Sequence, residues 1–148
     1  MKKILAQFDL VKAKYPRGDK RMSGFYDSVN CINSLAEGSP GFIWREIEED
    51  LEGLGKLWGE DYLYTLSTWD DVGSLKDFIY HSTHLEIMKS GREWFHKLNH
   101  VRLVLWWVPN DHKPTLTEAH ERLMYLHENG PSSFAFDFKS CDLPVVMY

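Results

Sequence analysis

Apolar side chains fall in both registers of two segments of this chain. Leu103-Val104-Leu105-Trp106-Trp107-Val108 has no polar position, and Tyr62-Leu63-Tyr64-Thr65-Leu66-Ser67-Thr68-Trp69 repeats the pattern more weakly. Successive side chains of a strand point to opposite faces, so a strand on a half-solvated sheet alternates apolar and polar residues. These two do not alternate, and both of their faces need cover. In a chain of 148 residues, helices are expected on one face, and another chain, a ligand or both on the other. The expectation is a homodimer with an aromatic-lined cavity for a hydrophobic small molecule.

Periodicity supplies the other elements. Residues 4–10 read as a strand with Ile4, Ala6, Phe8 and Leu10 on one face. Residues 22–36 read as a helix through Met22, Phe25, Tyr26, Val29, Ile32, Asn33 and Ala36, stopped by Gly38 and Pro40-Gly41. Phe42-Ile43-Trp44-Arg45 starts a second strand. Residues 48–61 are acidic and contain Gly53, Gly55 and Gly59, so they read as a loop. After the third strand, 62–69, a helix over 72–80 turns Leu75, Phe78 and Ile79 inward. Thr83 with Glu86 forms a capping box, which predicts a new helix from His84 to about Leu98. Residues 102–108 form the fourth strand. Thr115 with Glu118 is a second capping box, opening a helix with Leu116, Ala119, Leu123 and Leu126 inward and closed by Gly130-Pro131. Residues 134–138 alternate as a short edge strand does. The order is β-α-β-β-α-β with an additional C-terminal helix and short strand. That is an α+β chain of ferredoxin-like pattern, one domain over residues 1–148.

Charge and cysteine content narrow the function classes. The net charge is -5 and the pI about 5.8, with no basic run. Nucleic-acid binding needs concentrated positive charge, so no nucleic-acid partner is expected. Cys31 and Cys141 belong to no motif and fit reduced thiols in a cytoplasm. The first apolar run breaks at Gln7 and Asp9, too early for a signal peptide. No stretch approaches the roughly 18 apolar residues of a membrane span. A cytoplasmic protein with no membrane partner is expected. Aromatic residues make up 14% of the chain, and each of its six Trp wants a partner for its indole N–H.

The candidate chemistry centres on the break between the two helical segments. His81 and His84 are three residues apart there, but a divalent metal site needs a third ligand that nothing fixes; the plainer reading is a hydrogen-bonded histidine at a kink. A neutral imidazole at His84, in the first turn of the new helix, can accept a proton or bind iron. Haem needs a single proximal histidine among large apolar side chains, so haem asks for fewer coincidences than zinc. Arg92, beside Trp94, reads either as an anion clamp or as a guanidinium stacked on Trp94 or Tyr80. His84 and Arg92 are therefore the candidate catalytic residues. Trp44, Tyr64, Trp69, Tyr80, His81, Trp94 and Trp106 are the candidate pocket lining. The pairs His96/His100 and His120/His127 read as surface, Ser67 as structural, and Asp70 and Asp71 as helix caps. No nucleophile elbow, phosphate loop or dinucleotide fingerprint is present.

A family resemblance extends along most of the chain. Ser39-Pro40-Gly41-Phe42-Ile43-Trp44-Arg45, Ser67-x-Trp69, Phe78-x-Tyr80 with His84, Arg92-Glu93-Trp94-Phe95, Leu103-Val104-Leu105-Trp106-Trp107-Val108-Pro109, Pro114-Thr115-x-x-Glu118-Ala119, Gly130-Pro131-Ser132 and Ala135-Phe136-x-Phe138 carry it. In these the sequence resembles a bacterial family known as domain of unknown function 3291. The resemblance implies a dimeric α+β barrel, a superfamily that includes cofactor-free monooxygenases and haem proteins. More distantly, Ser67-x-Trp69, Phe78-x-Tyr80 and His84 are similar to spheroidene monooxygenase-like haem proteins, which would make His84 the iron ligand. Oxidoreductase chemistry on a hydrophobic substrate is the leading implied function; a non-catalytic ligand-binding or structural module is the alternative.

Overall fold

Strand β1 (Lys3–Ala13) is the hub of the sheet, and it is longer than the seven residues its sequence pattern suggests. The computed structural model describes residues 2–80 and 91–141. A 3-10 turn (Lys20–Met22) leads into α1 (Ser23–Glu37), which is followed by β2 (Phe42–Arg45), α2 (Leu51–Trp58), β3 (Tyr62–Trp69) and α3 (Val72–Tyr80). Then come a short α4 (Gly91–Trp94), β4 (Phe95–His96), β5 (Leu103–Pro109), α5 (Leu116–Asn129) and a last 3-10 turn (Phe138–Cys141). All pairings are antiparallel. β3 lies on one side of β1, in the register Leu5 opposite Trp69 to Lys12 opposite Tyr62. β5 lies on the other side, with Leu5 opposite Trp107, and β4 pairs with the far end of β1 at Lys12 and Ala13. β2 closes the β3 edge. With α1 and α3 as the two crossovers, this is the ferredoxin-like α+β arrangement expected from the element order.

The two faces of the sheet have different covers. Ile4, Ala6, Phe8, Leu10, Tyr64, Leu66, Val104, Trp106 and Val108 form one core with Leu54 of α2 and Leu116, Ala119, Leu123 and Leu126 of α5. Leu5, Trp69 and Leu105 form the other with Leu75, Phe78 and Ile79 of α3, Ala36 of α1, and Phe136 and Phe138. Helices of this one chain thus lie over both faces, and the partner chain invoked to cover the second face is not needed for that purpose. The error traces to residues 48–61, read as a loop because of their glycines. Leu51, Leu54, Leu57 and Trp58 recur at helical spacing, Asp50 caps the helix by accepting from the Gly53 N–H at 2.9 Å, and Leu54 is buried. Burying that stripe outweighs the roughly 1 kcal/mol per glycine that a helix interior loses.

Two other expectations are revised. Residues 81–90, which hold the capping box and the start of the expected helix to Leu98, lie outside the described residues. Beyond them the helix ends at Trp94, because Phe95 and His96 extend to pair with Ala13 and Lys12. The edge strand expected at 134–138 is a single bridge. Phe136 and Leu105 exchange backbone hydrogen bonds at 2.8 and 2.9 Å, and the chain then turns into a 3-10 helix. The Pro40-Gly41 turn behaves as read. Gly41 has φ +85°, and a Cβ there would overlap the Ser74 side chain at 2.1 Å, so only glycine fits.

Candidate functional site

The middle of a buried sheet is an unfavourable place for polar side chains unless each finds a partner. Here Gln7, Ser67 and Thr68 are buried at 6%, 8% and 1% exposure. Gln7 and Ser67 face each other across β1 and β3, on the face that α1 and α3 cover. The order of donors in this row follows from chemistry. The Trp69 indole N–H can only donate, and it donates to Ser67 Oγ at 2.9 Å. The Ser67 hydroxyl gives its one proton to Gln7 Oε1 at 2.6 Å. That fixes the amide orientation, so Gln7 Nε2 donates to Thr65 Oγ1 at 3.0 Å. Trp69 is 1% exposed whereas Thr65 is exposed. The row therefore runs from the core to the surface and ends on a hydroxyl.

Charged groups flank it as pairs. Asp9 lies opposite Thr65 on β1, and the Arg102 guanidinium grips its carboxylate in a fork at 3.0 and 3.1 Å. Arg45 lies opposite Ser67 on β2, with Glu37 of α1 at 3.7 Å; its Nε is buried without a hydrogen-bond partner. The helix above is anchored at its ends. Ile32, Leu35 and Ala36 pack into the Trp69 core, and Phe25 and Tyr26 pack with Met22, Leu63 and Trp94. Between those anchors Val29 stays half-buried. Of the four residues in the row, Thr65 alone is exposed to solvent. The inner end is aromatic: Phe78 stacks on Trp69 at 5.4 Å and Phe42 meets it edge-on at 5.3 Å.

The residues singled out from sequence do not converge on one pocket. Trp69 and Tyr80 lie on the face just described. Trp44, Tyr64 and Trp106 belong to the opposite face, under α2 and α5. There the Trp106 indole donates to Glu118 Oε2 at 2.7 Å, and Glu118 Oε1 accepts from His112 Nε2 at 2.6 Å. The Thr115 capping box is half realised. Thr115 Oγ1 accepts from the Glu118 N–H at 3.2 Å, but the Glu118 carboxylate serves Trp106 instead. Tyr64 donates to Glu46 and accepts from the Asp50 N–H at 2.9 Å. Burial, aided by the hydrogen bond to Glu46, holds its hydroxyl far above the ordinary tyrosine range. Trp94 belongs to a third cluster, beside Gly24 and Phe25. Arg92 is exposed, and its backbone carbonyl accepts from Lys14. His81 and His84 lie outside the described residues.

Sequence reasoning passed over the polar row, although it left a signal. Within residues 4–10, Gln7 and Asp9 interrupt only one register of the central strand, and Ser67 and Trp69 share a face by their spacing of two. Asp71 does cap α3, accepting from the Ser74 N–H at 2.8 Å. His96 and His100, read as surface, line a cleft of about 280 Å³ with Lys97 and Arg102. His120 meets Trp58 edge-on at 4.7 Å. Among the described residues no group of three or more His, Cys, Asp or Glu could hold a metal ion. Among the described histidines, His112 is tied to Glu118, His120 is packed on Trp58, His127 meets His100 edge-on at 6.0 Å, and His96 and His100 line the cleft with Lys97 and Arg102.

The fold and this row define a ferredoxin-like α+β protein with an internal polar strip on its helix-covered sheet face. The chain belongs to the family described as domain of unknown function (DUF3291), whose model matches residues 4–144. No curated protein matches it in sequence. Among solved structures it is similar to the protein PA3566 from Pseudomonas aeruginosa, at 9% identity and a TM-score of 0.50, covering 73% of this chain and 94% of that one. It is also similar to NE2512, a protein of unknown function from Nitrosomonas europaea, at 12% identity and a TM-score of 0.48, covering 72% and 88%. At such identities the likeness to PA3566 speaks to fold alone. Among the described residues no helix is long and apolar enough to cross a membrane.

Proposed function

We propose that this protein binds a small organic molecule on the sheet face beneath α1. The polar part of the ligand rests on Thr65, and its apolar part lies toward the Trp69 rings. The supporting observation is the row itself: a buried chain of hydrogen bonds that opens to solvent at one end only, under a helix anchored at both of its own ends. Ser67 is no nucleophile in this reading, because its proton goes to an amide oxygen and not to a base. Thr65→Trp tests the site, since an exposed position tolerates the change while the indole occupies the floor. Thermal denaturation against a panel of aromatic ketones, esters and acids should find a compound that raises the melting temperature of the wild type. Thr65→Trp should lose that rise. A rise of equal size in Thr65→Trp would rule the site out.

Oxidative turnover of a hydrophobic substrate, with or without haem, is the finer reading. The mutually packed rings of Phe42, Trp69 and Phe78 would give such a substrate an aromatic neighbourhood, and the haem part rests on resemblance and on His84. Protein produced with haem supplied should show a Soret band that His84→Ala removes and His120→Ala keeps. A colourless wild type would leave binding or cofactor-free chemistry. A homodimer, also implied by the resemblance, would have to form without the sheet face that α2 and α5 cover.

A further inference from the structure

We propose that the group bound at Thr65 is a neutral carbonyl oxygen, as in a ketone, quinone or ester; the inference rests on the binding reading above and specifies its ligand. Every proton in the row points the same way: indole to serine, serine to amide, amide to threonine. Thr65 Oγ1 spends a lone pair accepting from Gln7, and its own proton has no acceptor among the described residues. A hydroxyl has one proton to give, and a hydroxyl that already accepts a hydrogen bond becomes the stronger donor, because bonds in a chain polarise one another. The row therefore terminates as a donor reinforced from behind by the Trp69 indole. A ligand that can only donate would leave that proton unmatched, whereas a carbonyl oxygen takes it.

Charge selects among acceptors. Asp9 is held by Arg102, and Arg45 faces Glu37. Both guanidinium groups have a carboxylate beside them, so the strip carries no net charge to offset the desolvation of an incoming anion. A neutral oxygen escapes that cost.

The test follows the Trp69 indole and Gln7 side-chain amide signals in ¹⁵N-labelled protein, with the indole assigned from Trp69→Phe. Three probes are titrated to equal concentration: acetophenone, which only accepts, indole, which only donates, and benzoate, which is anionic. Acetophenone should move both signals in the wild type and in Thr65→Ser, and lose most of the shift in Thr65→Val. Because the probe's ring can lie against Trp69, the mark of the chain is loss of the Trp69 shift in Thr65→Val, which removes the hydroxyl three links away and leaves ring contact with Trp69 in place. Equal movement by indole, or larger movement by benzoate, overturns the carbonyl assignment and leaves the binding reading standing. Shifts in Thr65→Val as large as in the wild type overturn it too. If no probe moves any signal of this sheet face, both fall.

Discussion

Removing the middle of the polar row gives the most direct test of how the sheet is held. Ser67→Ala deletes one atom that serves two buried partners. The Trp69 indole N–H loses its acceptor, and Gln7 Oε1 loses its donor. Trp69 is 1% and Gln7 6% exposed, so bulk water does not readily take over either role. A buried polar group left without a partner costs about 1–3 kcal/mol, and two of them cost about 2–5 kcal/mol when part of the strain relaxes. In a chain of this size about 2–4 °C of melting temperature accompanies each kcal/mol, so the loss should be about 4–20 °C. Thr65→Val cuts the same row at its outer end and leaves one buried donor, Gln7 Nε2, without its acceptor, so it should cost about 1–2 kcal/mol, less than Ser67→Ala with its two orphaned partners. Urea denaturation of the three proteins, compared at equal slope, measures both differences. If Ser67→Ala unfolds at the parent midpoint, or Thr65→Val loses as much as Ser67→Ala, the row is not a closed internal chain with one open end.

The other expectations concern packing, backbone and pH. Trp106→Ala should cost about 3–5 kcal/mol, because the ring is fully buried between β5 and α5 and leaves a cavity. Trp107→Ala, on a ring 38% exposed, should cost clearly less; a reversed order in chemical denaturation would invert the assignment of the two faces. Gly41→Ala should destabilise by about 1–3 kcal/mol through a strained left-handed backbone. Gly55→Ala should stabilise by about 0.5–1 kcal/mol, since a helical Cβ there meets nothing within 4 Å; equal signs for the two in thermal melts would contradict that geometry. Tyr64 ionises well above the ordinary range, so below pH 10 both folded and unfolded chains keep its proton. Above pH 10 the unfolded chain releases it first and stability falls as pH rises. Tyr64→Phe should flatten that alkaline decline, and an unchanged slope would show that the hydroxyl does not contribute.

The sequence was a good guide where local pattern and burial agree. β3, α3, β5 and α5 lie within a residue or so of their expected bounds, since an apolar stripe or run decides each of them. It misled where two local signals compete. In residues 51–58 the glycines argue against a helix and the leucines for it, and only the presence of Phe8 and Tyr64 beneath them decides the outcome. It also could not tell that the two apolar faces of β5 are served by helices from distant parts of one chain, because cover is a property of three-dimensional neighbours. The pocket suffered for the same reason. Tyr64, Trp69 and Trp106 are all aromatic and all on strands, yet an odd or even offset in register sends them to opposite sides of the sheet. Gln7, Thr65 and Ser67 are unremarkable one at a time and acquire meaning only once β1 and β3 are laid in register.

The cover supplied by α5 has a consequence for biosynthesis. Ile4, Ala6, Phe8 and Leu10 are made first, but the helix that shields them ends at Asn129. At roughly 5–20 residues per second, about 6–25 s pass between the two. For most of that time the central strand also lacks β5, its neighbour on one side, whose pairing to β1 spans roughly a hundred residues of sequence. A nascent chain in this state offers an apolar strand with one free edge to anything in the cell that binds such strands. Soluble yield should therefore depend on how fast the last third of the chain is translated, and slowing the ribosome within α5 should send more of the product to aggregates than slowing it within α1.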